Sequence, residues 1–115
     1  ACAEAAGAAI EGALFPLLWD AAAVGEPALE FARRFEARTG RAPDYAEALA
    51  YDSIAVLLDA IGEAGIDRVA IGAALRALSP WSGASGVLSW DRTGHNTRPV
   101  PLGTWRDGRA VRVSG

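Results

Sequence analysis

The sequence predicts a mixed α/β fold in the order strand, three helices, three strands. Three observations carry that order. Residues 45–65 form a long, almost uniformly apolar run with helical punctuation at both ends. Ala28, Phe31, Ala32 and Phe35 recur at i, i+3, i+4 and i+7, the spacing of one helix face. From Val87 onward the period changes to that of short strands broken by tight turns.

Residues 1–6 are alanine-rich and helix-prone, and Gly7 stops them. They read as the tail of a helix. Residues 8–15, Ala8 to Phe15, read as a short apolar strand that Pro16 ends, because proline has no N–H to pair. Pro16 to Gly25 reads as a loop carrying Leu17, Leu18 and Trp19. Trp19 is either loop packing or part of a site wall, since indole suits both places. The next helix starts at Glu26-Pro27, with an acid at the positive end of the dipole, and closes at Arg38-Thr39-Gly40. Glu30, four residues before Arg34, is placed for a surface pair. Arg33, Arg34 and Arg38 read most simply as a solvated face.

The central helix is framed by Asp44, a good N-cap, and by Gly62 and Gly65 at its end. Its polar residues are Glu47, Asp52, Ser53, Asp59 and Glu63 alone, and a helix apolar nearly all round is normally buried. Asp67 caps a third helix, Arg68 to Leu78, with Ile71, Ala74, Leu75 and Leu78 as its stripe. Residues 79–86 read as a loop. Val87 to Trp90 is a strand, and Asp91 to Gly94 a turn. Arg98 to Trp105 is extended, but Pro99 and Pro101 argue for an edge or connecting strand. Asp107-Gly108 centres a hairpin turn, and Ala110 to Val113 alternates as the last strand.

The chain has 115 residues, one domain at most on length. Apolar residues are 51 % and charged residues 22 %, a globular balance. The net charge of −3 offers no basic surface to nucleic acid, so none is expected as a partner. A single Cys and a single His exclude a disulfide scaffold and a Cys/His zinc site. No apolar run approaches the roughly 18 residues of a membrane span. No basic n-region opens these residues, so they contain no signal peptide. Cys2 lacks the apolar segment that precedes a lipidated cysteine and reads as a small buried residue on a helix.

Several local patterns together resemble the C-terminal third of the type I periplasmic ligand-binding proteins, the extracellular receptors of branched-chain amino acid transport systems and their relatives. They are Ala6 to Gly12, Phe31 to Phe35 in the helix ending at Thr39-Gly40, Pro43, Ala50-Tyr51-Asp52-Ser53 and Ala64-Gly65. Ala74-Leu75, Gly83, Gly86, Trp90-Asp91, Gly94 and Asp107-Gly108 complete the set. Their order and spacing span essentially the whole chain. The resemblance implies a fragment of a two-lobed α/β fold with solute bound in the cleft. Residues 8–15 would belong to the second lobe, 16–101 mainly to the first, and 102–115 would cross back. About two-thirds of a usual family member lies outside this match. The resemblance also implies a periplasmic or extracellular location, by membrane anchoring or as a free protein, with an export signal expected upstream of Ala1. The implied partners are a small-molecule solute, such as an amino acid, and the membrane permease of an ABC importer.

No catalytic constellation completes itself. His95 lies in a glycine turn, and Asp52 and Asp59 on the central helix lack a third element. Asp52 reads as a buried carboxylate satisfied by its neighbours. No enzyme activity, cofactor or metal is expected. By the resemblance, the first turn of the central helix faces the cleft. That singles out Tyr45 and Ala46 as ligand contacts, with Trp19 as a candidate wall. Ala46 in place of a large side chain would widen the site. The alternative is a self-associating interaction module or a ligand-sensing receptor domain. Either way the isolated segment is expected to homo-oligomerise.

Overall fold

A computed structural model describes residues 2–113. The chain is α/β and divides into two compact units. One comprises the chain up to Leu18 together with the chain from Pro99 onward; the other runs from Trp19 to Arg98.

In the first unit, α1 (Cys2–Ala6) leads into a 3₁₀ turn, Gly7–Ile10. The strand expected at 8–15 is shorter and later: β1 is Leu14–Pro16. Alanine favours helical backbone, so Ala8 and Ala9 continue the helical path once Gly7 has re-aimed the chain at φ 53°. The expectation for the Cys2 side chain lies outside the described residues. Strand β1 pairs antiparallel with β4 (Leu102–Arg106), setting Phe15 opposite Gly103. Strand β5 (Arg109–Arg112) pairs with the other side of β4, so the sheet order is β1-β4-β5. The expectation that prolines push this segment to an edge is overturned. Pro99 and Pro101 precede the strand, and every residue from Leu102 to Arg106 keeps its N–H. Asp107 (φ 51°) and Gly108 (φ 72°) turn the hairpin with the left-handed pair that matches strand twist. The Phe15 and Trp105 rings lie 5.7 Å apart over this sheet. Gly103 is buried beneath them, and a Cβ there would come within 2.9 Å of the Phe15 ring.

The second unit holds the long helices. The segment read as a loop contains a short helix, α2 (Ala21–Val24), because Asp20 accepts from the N–H of Ala22 and Ala23. Helix α3 (Glu26–Thr39) has Pro in its first turn and ends at Gly40 with φ 74°. Its stripe faces inward, Ala28 buried and Phe31, Ala32 and Phe35 half-buried. The surface pair forms differently than expected: Glu30 binds Arg33 at 2.8 Å, not Arg34, and Arg33 also binds Glu26 at 2.6 Å.

Helix α4 (Tyr45–Ala64) starts in a capping box. Asp44 accepts from the Ala46 N–H at 2.9 Å, and Glu47 accepts from the Asp44 N–H at 3.0 Å. Arg41 closes on Glu47 from outside the helix at 2.5 Å. The Asp44 side chain, the Arg41 guanidinium and the Asp44 backbone N–H, in that order, hold the Glu47 carboxyl down at about 2. Helix α5 (Arg68–Ala77), capped by Asp67 on the Ala70 N–H, packs along α4.

Residues 79–86, read as a loop, contribute two strands. Trp81–Gly83 (β2) and Gly86–Leu88 (β3) form an antiparallel hairpin. What orders its turn is Asp52, fully buried on α4. Its Oδ1 accepts from the Ala84 N–H at 2.8 Å, and its Oδ2 from the Ser85 N–H at 2.7 Å and the Ser85 hydroxyl at 2.5 Å. Trp90, expected at the end of the next strand, instead makes an isolated bridge with Asn96.

The expectation that α4 is buried all round is also corrected. Ala48, Asp52 and Ala60 are buried, but Tyr51, Ile54 and Leu58 are 51 %, 60 % and 61 % exposed. Those three fall at i, i+3 and i+7, so α4 carries a second apolar face that the described residues of its unit leave open.

Two outcomes test this account. Asp52→Ala leaves two buried backbone donors unpaired and should cost roughly 3 kcal/mol in urea unfolding. Asp52→Asn should not rescue it, because the amide turns an N–H₂ toward a donor. A loss under about 1 kcal/mol for both variants would contradict the clamp. For Glu47 the folded pKa lies below the ordinary value of about 4.3, so its stabilisation is complete above that pH and drains as pH falls toward 2. The Tm gap between the native chain and Glu47→Gln should therefore close between about pH 4 and pH 2. A gap independent of pH in that window would refute the assignment.

Candidate functional site

The residues singled out for ligand contact lie in the second unit, and the structure positions each differently. Tyr45 opens α4 and is 45 % exposed. Its ring and hydroxyl are available to solvent at the positive end of a twenty-residue helix. Ala46 beside it is exposed, with its N–H bonded to Asp44. The capping box and the Arg41–Glu47 ion pair fix the path of the chain into this turn. Tyr45 and Ala46 thus sit on a rigid element rather than on a loop.

Trp19 is half-buried, and its environment is one of packing contacts. Its indole N–H donates to the Ala84 carbonyl at 3.0 Å, and its ring meets the edge of Phe31 with centroids 6.2 Å apart. Phe31 in turn contacts Tyr51 at 4.9 Å and Phe35 at 5.9 Å. The Trp19 bond to Ala84 joins the segment leading into α2 to the same turn that Asp52 holds. Among the described residues, neither a hydrogen bond nor a ring contact joins Trp19 to Tyr45 or Ala46.

The other chemistry-bearing side chains are committed to structure. Asp52 is spent on the hairpin turn. Asp59 accepts from the Trp81 indole N–H at 2.8 Å. Asp91 caps its own turn, accepting from the N–H of Thr93 and His95 and from the Thr93 hydroxyl. The Thr93 hydroxyl and then the His95 N–H pull its carboxyl below the usual range. His95 is exposed, and its Nδ1 lies 2.7 Å from the Thr93 hydroxyl. Among the described residues, no three His, Cys, Asp or Glu side chains converge on a point that could hold a metal ion. No described helix is long and apolar enough to cross a membrane.

A further cavity was not anticipated from the sequence. A groove of about 500 Å³ runs between α3 and α4 above β2 and includes none of Tyr45, Ala46 and Trp19. Its walls come from residues distant in sequence, and Arg34 and Arg38, read as a solvated face, line it.

Comparison with known proteins places this geometry. Residues 2–110 match the family model described as periplasmic binding protein. No curated protein sequence matches the chain. Among solved structures, the chain is similar to a leucine-binding protein, LivK, from Thermotoga maritima. The two share 33 % identity with a TM-score of 0.82, over 96 % of this chain and 32 % of that one. It is also similar to an ABC transporter substrate-binding protein from Desulfitobacterium hafniense solved in complex with Leu. There the identity is 25 % and the TM-score 0.81, over 90 % of this chain and 32 % of that one. The chain thus spans about a third of the length of these structures. The family match over residues 2–110, joined to this shared architecture, means that the chain belongs to the periplasmic binding protein family.

Proposed function

We propose that this chain is the C-terminal third of a solute-binding protein of an ABC importer, and that the first turn of α4 contacts the solute. The observation that carries this is the family match over residues 2–110 coinciding with an exposed, rigidly capped Tyr45-Ala46 turn. In this reading the unit Trp19–Arg98 belongs to the first lobe and the flanking residues to the second. The chain passes between them at Leu18-Trp19 and Arg98-Pro99. Solute is held by closure of the lobes about the segments that cross between them. The protein works in the periplasm or outside the cell and delivers its solute to a membrane permease.

The solute proposed is an amino acid or a similar small molecule with an apolar body. The Tyr45 ring gives such a body a stacking face, and its hydroxyl gives one polar anchor. Ala46 leaves room beside it, which favours side chains at least as large as leucine. Two of the similar structures are a leucine-binding protein and a leucine complex, which supports this class.

Calorimetry on the complete solute-binding protein tests the reading. Tyr45→Ala should weaken amino-acid binding about tenfold or more, and Ala46→Phe should shift preference toward smaller solutes. Residues 1–115 alone should bind no leucine, since incomplete parts of the two lobes cannot enclose it. Tight binding by this segment, or indifference of the complete protein to both substitutions, would overturn the assignment.

A second reading rests on the open face of α4. If the chain acts as an interaction module, Tyr51, Ile54 and Leu58 are its contact surface. Sedimentation should then show self-association of the isolated chain at micromolar concentration, abolished by Ile54→Glu. A clean monomer would remove that reading.

A further inference from the structure

We infer that the groove between α3 and α4 is a second ligand site, selective for a small anion with an apolar or aromatic body. This goes beyond the proposed solute contact at Tyr45 and Ala46 and does not depend on it, because the groove shares none of those residues. Its volume of about 500 Å³ lies within the range of roughly 300–1,000 Å³ typical of small-molecule sites.

The walls are apolar and aromatic. Phe31 and Phe35 stand on α3, Tyr51 and Ala55 on α4, and Trp81 on β2. Phe31 contacts both Phe35 and Tyr51, and the Trp81 ring is anchored by its N–H on Asp59, so this lining is held in place. The groove also has polar groups of both signs, and their commitments differ. Glu30 binds Arg33 at 2.8 Å. Asp52 is fully buried and accepts from Ala84 and Ser85. Asp59 accepts from Trp81. Arg34 and Arg38 also line the groove, and neither makes a hydrogen bond or ion pair among the described residues. They stand one turn apart on one face of α3. The unspent hydrogen-bonding capacity is thus mainly two guanidinium forks, the geometry that takes a carboxylate or another planar anion.

The two halves define the ligand class. Its anionic end lies at Arg34 and Arg38, and its apolar body lies against Phe31, Phe35, Tyr51 and Trp81. The Asp59 carboxylate at the opposite wall disfavours a second anionic group there. The match is to a monoanion with an aryl or branched alkyl body.

The test uses the 115-residue chain and three probes that share one body. These are 3-phenylpropionate, the neutral 3-phenylpropanamide and the cation 2-phenylethylamine. In ¹H–¹⁵N spectra the carboxylate should shift the Trp81 indole N–H and the backbone amides of 31–38 and 51–59. The amide should bind about tenfold more weakly, since it loses the charge-assisted bonds, and the amine should not bind. Arg34→Gln with Arg38→Gln should abolish the preference for carboxylate over amide. Arg33→Gln, whose charge is already taken by Glu26 and Glu30, should leave it intact. Dispersion of the same spectra reports whether each variant is folded, and the three-probe ranking on the native chain needs no variant. Equal binding of acid and amide, shifts confined to residues outside the groove, or no binding at all would each overturn the proposal. Leucine titrated into the complete solute-binding protein is the separate probe of the Tyr45-Ala46 turn, so failure at one site is distinguishable from failure at the other.

Discussion

The larger unit is organised by one buried carboxylate. Asp52 lies eight residues into α4 and reaches a turn more than thirty residues further along the chain. A buried carboxylate without partners would be very costly, and here three donors surround it. The same bonds satisfy two backbone N–H groups that the tight turn at Ala84-Ser85 cannot pair within its own hairpin. Each side therefore needs the other. Gly83 records how close the approach is: a Cβ there would sit 2.5 Å from Asp52 Oδ1 and 2.3 Å from the Trp81 ring. Any larger residue would have to push the hairpin off the helix.

Fixing that one contact fixes the rotation of α4. With Asp52 pointing at the hairpin, Ala48 at i−4 faces the same interior and Ala60 follows two turns later, all fully buried. Small side chains on this face let neighbouring backbone come close. The face turned away then has to be Tyr51, Ile54 and Leu58. The aromatic cluster follows from the same rotation, because it places Tyr51 beside Phe31 at 4.9 Å and leaves Asp59 within reach of the Trp81 indole. Trp19 adds a second tie to the hairpin turn through the Ala84 carbonyl. Helix, hairpin and aromatic groove are consequences of one set of hydrogen bonds, so a change at the Asp52 clamp reaches the groove walls without touching them.

The parts of this fold legible in the sequence are those set by local chemistry. The caps at Asp44 and Asp67, the stop at Gly40, the stripe of α3 and the Asp107-Gly108 hairpin each follow from residues within a few positions of one another. The misread parts depend on partners far away in the chain. Strand β1 is three residues long because that is where β4 offers a register, and nothing near Leu14 announces it. The β2–β3 hairpin was hidden because its turn is ordered from α4 across 32 residues. For β4 the pattern was over-read: the prolines mark where the strand begins, not where it sits in the sheet. The same division holds for the candidate site. The capped Tyr45-Ala46 turn could be placed on a helix start from sequence, whereas the Trp19 bond to Ala84 spans 65 residues and left no local trace.

The buried and open faces of α4 also place different demands on adjacent residues. The Tyr51-Asp52-Ser53 run carries three different demands on successive residues. Asp52 must reach the hairpin, Tyr51 must turn to the aromatic cluster and the open face, and Ser53 returns its hydroxyl to the Leu49 carbonyl at 2.8 Å. Successive residues on a helix point about 100° apart, so three adjacent positions span about 200°, more than half the circumference. A helix with a single interior face would constrain one of the three and leave its neighbours free to vary. Here the structural demands fall on adjacent positions, so the sequence of this helix does not display them as one spaced stripe.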